Sequence, residues 1–181
     1  QDADLQLDYA LEQGINFIDT AEMYAIPPTP DTYGTTETII GDWLSRNKSR
    51  RSDIVLASKI VGNGLPWIRE GSDITGESVI RAVDDSLARL QTDHIDLYQL
   101  HWPNRAFPHF GKHWQGDIRF SDVDTQAHQA QMLDILQGIN TCVQAGKIGH
   151  FGLSDDTPWG IQTYLQLSEA HSLPRVVSIQ N

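Results

Sequence analysis

Four residues with chemically useful side chains stand at or just beyond the ends of short apolar segments. Asp19, Lys59 and His101 each end, or nearly end, such a segment, and Tyr24 follows Asp19 by five residues. If the segments are parallel strands of one barrel, their carboxyl ends meet at one rim. The four side chains would then lie close together.

This combination of residue types suits proton donation to a developing alkoxide. The tyrosine phenol has a free pKa of about 10, and a neighbouring lysine cation stabilises phenolate and lowers that pKa. A carboxylate keeps the lysine charged and in place, and a histidine hydrogen-bonds a substrate oxygen or relays a proton. Carbonyl reduction also needs hydride, which no side chain supplies, so the set implies a nicotinamide cofactor.

Each residue also has a purely structural interpretation. Asp19 could cap a turn, Tyr24 could be a half-buried packing residue, and Lys59 could be a solvated strand end. His101 could be a structural histidine. The order and context of the four residues together favour the catalytic interpretation.

Two further sets of residues carry no predicted chemistry. Cys142 lies on the apolar face of a predicted helix, which favours a core position over a nucleophile. His109 and His113 have i, i+4 spacing but no third ligand on a helix, so no metal site is predicted.

The elements that would position the four residues alternate along the chain. Apolar, β-branched segments predict strands, and longer segments with helical periodicity separate them. Gly14 and Gly146 occupy expected helix C-caps, Thr157–Pro158 resembles a helix start, and Pro174 ends the last helix. The predicted strands are Ile15–Ile18, Ile54–Ile60, His94–His101, Gly149–Ser154 and Val176–Gln180.

Alternating helices and strands predict an α/β fold with a parallel sheet, as an open doubly wound sheet or a (β/α)8 barrel. No G-x-G-x-x-G follows a strand, and Gly62-Asn63-Gly64 precedes no helix start, so the barrel is favoured. Two long connections follow strands, one around Pro27–Asp31 and one from Trp102 to Asp124. Such loops build barrel active sites, although a variable surface excursion is an equal alternative for the tip of the second.

Composition narrows the possible partners and location. The formal net charge of -11 disfavours nucleic acid and anionic membranes. No apolar run reaches the ~20 residues of a membrane helix, and no signal peptide is visible. The single cysteine of the 181 residues fits a reducing, cytoplasmic compartment.

The motifs as a set resemble those of the aldo-keto reductases. Gly14–Tyr24 resembles the family signature around its aspartate and tyrosine, and His101-Trp102-Pro103 the signature around its histidine. The proline-rich insertion after Tyr24 most resembles the bacterial Tas-type reductases. The other matching runs are Tyr33–Gly41, Ala57–Lys59, Ser86–Leu90, Asp96–Tyr98, Gly146–Ile148 and Gly152–Ser154.

The resemblance implies NADPH-dependent reduction of a small aldehyde or ketone. It implies Tyr24 as general acid, tuned by Lys59, which pairs with Asp19, while His101 orients the carbonyl. It further implies that the cofactor carboxamide is held by Ser154, Asp155 and Gln180, and that Trp102 lines the substrate pocket. Asp155 departs from the usual asparagine, and a carboxylate can only accept hydrogen bonds.

The same resemblance makes the chain a single incomplete barrel domain over residues 1–181, with about strands two to six of eight. A (β/α)8 barrel usually needs ~250 residues, and the predicted open sheet edges favour an inactive isolated chain. A non-catalytic binding or regulatory barrel and a truncated, inactive product are the alternatives to a reductase.

Overall fold

The computed structural model describes residues 2–106 and 124–181 as one parallel α/β arrangement. The strands are β1 (Phe17–Asp19), β2 (Val55–Ile60), β3 (Ile95–Leu100), β4 (Ile148–Ser154) and β5 (Val176–Gln180). The helices are α1 (Asp2–Glu12), α2 (Thr35–Arg46), α3 (Gly76–Leu90), α4 (Thr125–Gln144) and α5 (Pro158–His171). Short 3-10 helices cover Lys48–Asp53 and Arg69–Gly71.

The strand order distinguishes the two predicted architectures. All four strand pairs are parallel, and the order is β1-β2-β3-β4-β5, so that each strand pairs with the next one in the chain. A doubly wound sheet reverses its strand order at a switch point, whereas a barrel does not. The fold is therefore a five-stranded part of a TIM barrel, as predicted.

The strands have two differently occupied faces. Alternate residues such as Leu56, Tyr98 and Phe151 point towards the helices and form the main core with apolar residues of α2, α3 and α4. The opposite, concave face carries Lys59 and Gln99, which are also buried. Polar groups on this concave face need partners, and those partners define the site described below.

Helix ends follow the sequence signals closely. Thr157 caps α5 by accepting a hydrogen bond from the Gly160 amide, and Pro158 is its first residue. Gly14 and Gly146 adopt φ values of 79° and 71°, the left-handed geometry expected after a helix end. The last helix ends at His171, three residues before Pro174.

The first strand lies later than predicted. The sequence analysis assigned Ile15–Ile18, but β1 begins at Phe17, and Ile15 lies exposed in the turn that follows Gly14. Ile15 lengthens the apolar run in the sequence but does not belong to the strand, and this explains the early predicted start. The other predicted strands agree with β2 to β5 within one residue at each end.

Some predictions fall on residues that the structure does not describe. These are the aromatic residues of the long connection after β3, and His109 and His113 with them: Phe107, Phe110, Trp114 and Phe120 all lie outside the described residues. Within residues 2–106 and 124–181, no helix is both long and apolar enough to cross a bilayer. The same ranges contain no group of three His, Cys, Asp or Glu side chains arranged to hold a metal ion.

The two outer strands leave apolar side chains open to solvent. Phe17 on β1 is 51% exposed and Val177 on β5 is 58% exposed, whereas the apolar residues of β3 are buried. Each outer strand pairs on one side only within the described sheet. These two edges therefore resemble the strand edges that neighbouring strands cover in a closed barrel.

Candidate active site at the carboxyl rim

The candidate residues of the first two strands form a buried ion pair. Lys59, 1% exposed on β2, donates to both carboxylate oxygens of Asp19 on β1, each at 2.8 Å. Its third proton goes to the Thr20 carbonyl at 2.8 Å, so the ammonium group has three acceptor atoms. Burial lowers the pKa of Lys59, and the Asp19 carboxylate opposes that shift.

Tyr24 lies directly above this pair. The Lys59 Nζ atom is 5.5 Å from the centre of the Tyr24 ring, and that ring meets the His101 imidazole edge-on with 5.6 Å between centroids. The structure thus brings Asp19, Tyr24, Lys59 and His101 close together. Their proximity follows from the parallel pairing of β1, β2 and β3, whose carboxyl ends form one rim.

The net shift of the Tyr24 pKa is upward. The sequence analysis expected Lys59 to lower its pKa, but burial of the phenol raises the pKa, and the carboxylates of Asp19 and Asp155 raise it further. The Lys59 ammonium group is already hydrogen-bonded to Asp19 and to the Thr20 carbonyl. Tyr24 is consequently a protonated phenol at neutral pH.

His101 is an uncharged imidazole in this setting. It follows β3 directly, is 7% exposed, and its backbone N–H donates to the Ile60 carbonyl at 2.9 Å. Burial, and then the nearby Lys59 charge, lower its pKa from 6.5 to about 3, with Asp19 acting in the opposite direction. Its Nδ1 atom is buried without a hydrogen-bond partner among the described residues.

Trp102 packs beside His101, with ring centroids 5.1 Å apart. Its indole N–H donates to the Asn63 carbonyl at 3.1 Å, and its ring lies so close to Gly62 that a Cβ there would be 2.1 Å from it. The ring belongs to a small apolar cluster that also includes Met23 and contacts Tyr24. Trp102 thus forms part of the wall next to the rim.

The three predicted cofactor residues gather at the ends of β4 and β5. Ser154 and Gln180 are paired residues of these strands, and the Asp155 amide donates to the Gln180 carbonyl at 3.0 Å. Asp155 has a φ of 49°, a left-handed geometry that aspartate and asparagine adopt more readily than most residues. The Gln180 amide donates to Asp19 at 3.2 Å, which joins this group to the ion pair.

Several polar residues of the rim were missed by the sequence analysis as functional candidates. Gln99 on β3 is buried and donates to the Gln180 side chain at 3.3 Å. Glu22 is fully buried between Asp19 and Tyr24 and is bound by Arg69. The available signal in the sequence was a carboxylate side chain between the candidate residues Asp19 and Tyr24.

A second missed pair joins the loops after β3 and β4. Arg105 and Asp156 form a buried ion pair, and Arg105 also donates to the Thr157 hydroxyl at 3.0 Å and lies 5.1 Å from the Trp159 ring centre. This pair connects the segment after His101 with the segment after Ser154. Nothing in their local sequence distinguishes these two residues from surface charges.

The fold and rim cluster define a partial TIM barrel with a polar centre at the carboxyl ends of its strands, where barrel active sites lie. Comparison with known proteins identifies which barrel. The model of the Aldo/keto reductase family matches residues 1–181. The chain belongs to the aldo/keto reductase family.

Individual relatives agree with this assignment. The chain is 45% identical to Protein tas of Escherichia coli (strain K12), over 99% of this chain and 51% of that protein. It is 30% identical to norsolorinic acid reductase B of Aspergillus parasiticus, over 96% of this chain and 39% of that protein. The chain thus spans about half, or less, of the length of these relatives.

A solved structure of the family has the same arrangement. Aldo-keto reductase AKR11C1 from Bacillus halodurans, in its holo form, superposes with a TM-score of 0.65 at 33% sequence identity. The match covers 98% of this chain and 47% of that one. The described strands therefore correspond to part of a family barrel.

Proposed function

We propose that this chain is the central part of an NADPH-dependent reductase of small aldehydes or ketones, with Tyr24 as the proton donor. The observation that carries the proposal is the buried Lys59–Asp19 pair directly beneath the Tyr24 ring, with His101 at the ring edge. Reduction of a carbonyl needs one proton at oxygen, and this cluster supplies a placed phenol for that purpose.

Tyr24 gives up its proton to the carbonyl oxygen as negative charge develops there. The phenol is protonated before reaction, because the ordinary tyrosine pKa of about 10 lies well above neutral pH and burial raises the pKa of Tyr24 further. The Lys59 ammonium, 5.5 Å from the ring centre, stabilises the phenolate that forms. Asp19 and the Thr20 carbonyl hold that ammonium in place, because each accepts one or more of its hydrogen bonds.

His101 orients the carbonyl by a hydrogen bond from its neutral ring. An imidazole with a pKa of about 3 carries one N–H donor at neutral pH and no competing charge. It therefore directs the carbonyl oxygen towards Tyr24 without itself acting as the acid. Trp102 forms the neighbouring wall and limits the shape of the substrate.

The residues at the ends of β4 and β5 fit a primary carboxamide such as that of nicotinamide. Ser154 offers a hydroxyl, Gln180 an amide, and Asp155 a carboxylate, so the set contains both donors and acceptors. The Asp155 carboxylate must face the NH2 group of such a ligand, because it cannot donate. When bound, the reduced nicotinamide of NADPH would supply the hydride and become oxidised; the choice of NADPH rests on the family resemblance.

The whole activity requires more than the described strands. We propose that residues 1–181 form a single incomplete barrel domain and that the active polypeptide carries a closed eight-stranded barrel. The exposed Phe17 and Val177 at the outer strands support an inactive isolated chain. Calorimetry of the isolated chain with NADPH should show little or no binding; tight binding by a stable monomer would contradict this.

Partners and location remain predictions of the sequence. We propose a small carbonyl compound as the substrate and no nucleic-acid partner, because the net charge is -11. A cytoplasmic location is proposed from the single, buried Cys142.

Tyr24→Phe in the complete polypeptide tests the function directly. Loss of the phenol should reduce NADPH consumption with a carbonyl substrate by about 10²- to 10⁴-fold, the usual contribution of a general acid. Cofactor affinity should stay within about twofold, because the ring and its packing remain.

Tyr9→Phe is the matched control, since Tyr9 is an exposed tyrosine on α1 far from the rim. Full turnover by Tyr24→Phe would exclude Tyr24 as the proton donor. A polypeptide that binds NADPH but reduces no carbonyl, with or without Tyr24, would instead favour the non-catalytic binding barrel.

A further inference from the structure

Glu22 is a fully buried carboxylate in the segment that joins Asp19 to Tyr24. Its Oε1 atom accepts from the Val61 amide at 2.6 Å and from Arg69 Nη2 at 2.7 Å. Its Oε2 atom accepts from Arg69 Nη1 at 3.0 Å and from the Tyr33 hydroxyl at 3.1 Å. Every partner comes from outside its own segment.

The main chain of Glu22 is fixed at the same place. Its N–H donates to the Lys59 carbonyl at 3.2 Å, and its carbonyl accepts from the Gly34 amide at 2.8 Å. Tyr24 lies two residues further on, and its N–H donates to the Ala21 carbonyl at 3.1 Å. Glu22 therefore sits at the junction between the Tyr24 segment and the strand end that carries Lys59.

Stability alone does not explain the Glu22–Arg69 pair, because the pair carries a desolvation cost and a strained backbone. Removing two charges from water costs several kcal/mol per ion, and an apolar pair of similar volume is often as stable or more so. Arg69 and Glu70 also have φ values of 49° and 58°, in the left-handed region that side chains disfavour. Strain of this kind, held in place by surrounding contacts, is typical of functional sites.

We propose that Glu22, with Arg69 as its counterion, is a positioning residue that fixes the Tyr24 segment over Lys59. The carboxylate binds the residue after β2, the Arg69 turn and the segment before α2. Tyr24 lies two residues after Glu22 in the chain. The catalytic consequence rests on the proposed reductase function. The structural consequence, a fixed Tyr24 segment, does not.

Glu22→Gln is the perturbation that separates charge from shape. The amide keeps the volume and the acceptor for the Val61 N–H, but its NH2 group cannot accept from Tyr33 or Arg69. In the complete polypeptide, kcat should fall by about 10- to 100-fold, the scale expected for a misplacement of roughly 1 Å. KM for the carbonyl and the Kd for NADPH should change less than about threefold.

Glu37→Gln is the matched control. Glu37 is another fully buried carboxylate with an arginine partner, Arg89 at 2.7 Å, but it contacts Ser58 on the helix side of β2. We expect Glu37→Gln to lose about as much thermal stability as Glu22→Gln, but to keep its kcat within about threefold of wild type. An equal fall in kcat for both variants would overturn the proposal, because any buried charge would then have the same effect.

Amide hydrogen exchange supplies a readout that needs no turnover. In Glu22→Gln, exchange at the amides of Tyr24 and Gly34 should accelerate by about tenfold or more relative to core amides of β3. Unchanged or uniformly accelerated exchange would overturn the proposal. If Glu22→Gln fails to fold, Arg69→Lys replaces it, since it keeps the charge and loses the two-pronged contact.

The two proposals fail in different ways. Inactive Tyr24→Phe with fully active Glu22→Gln would refute the positioning role and leave the reductase intact. A wild-type polypeptide without turnover would refute the reductase, and the exchange result alone would then decide whether Glu22 fixes the Tyr24 segment.

Discussion

Lowering the pH from 6.5 to 5 should destabilise the folded protein through His101. The ordinary pKa of histidine is 6.5, and burial lowers that of His101 to about 3. Between these values the unfolded chain binds a proton at this residue and the folded chain does not. Stability is therefore fully present above pH 6.5 and is lost progressively as the pH falls towards 3.

The magnitude follows from the size of the shift. Each pH unit within the window changes the free energy of unfolding by about 1.4 kcal/mol per proton. A fall from pH 6.5 to 5 covers about 1.5 units, so His101 contributes a loss of about 2 kcal/mol. This is a large fraction of the 5–15 kcal/mol typical of a folded domain.

Urea denaturation of the complete polypeptide at the two pH values measures this loss. The His101→Asn variant should lose about 2 kcal/mol less than wild type over the same interval, because its amide does not titrate. His150→Asn is the control, since His150 is exposed on β4 and should leave the wild-type dependence intact. Equal acid losses in wild type and His101→Asn would refute a neutral, buried imidazole at the rim.

Two further substitutions test the neighbours of His101. Lys59→Met should destabilise the protein by about 3 kcal/mol, the low end for breaking a buried pair because Asp19 is 30% exposed. It should also raise the His101 pKa, measured by NMR titration, since the Lys59 charge helps to lower it; an unchanged pKa would contradict the geometry. Gly62→Ala should cost about 1–3 kcal/mol in urea denaturation and raise KM for carbonyl substrates, because its Cβ would displace Trp102. Wild-type stability and KM would show that the Trp102 ring is not fixed against Gly62.

The fold was predictable because its signals are local. Alternation of apolar runs with helical periodicity predicts parallel strands, and Gly14, Gly146 and Thr157–Pro158 mark helix boundaries in the chain itself. The start of β1 was wrong by two residues because apolarity does not distinguish an exposed turn residue such as Ile15 from a strand residue. Only the three-dimensional structure shows whether such an apolar residue belongs to the turn or to the strand.

The site was predictable where it depends on strand ends and unpredictable where it depends on distant partners. Asp19, Lys59 and His101 meet because parallel strands share a rim. Glu22 and Arg69 meet across 47 positions of sequence, through a left-handed turn that no local pattern encodes. The raised pKa of Tyr24 likewise depends on burial and on nearby carboxylates, which the order of residues does not give.

The curvature of the five-stranded sheet brings the ends of its two outer strands together. Gln180 at the end of β5 donates to Asp19 at the end of β1, although 161 positions and three intervening strands separate them. A flat sheet of five strands would hold these ends roughly 19 Å apart, at about 4.8 Å per strand spacing. The twist and coiling of five parallel strands therefore already bring together the proton-donor candidates and the carboxamide-binding candidates. Further strands would cover the apolar side chains exposed at the two edges, at Phe17 and Val177, and would complete the barrel that we propose for the active polypeptide.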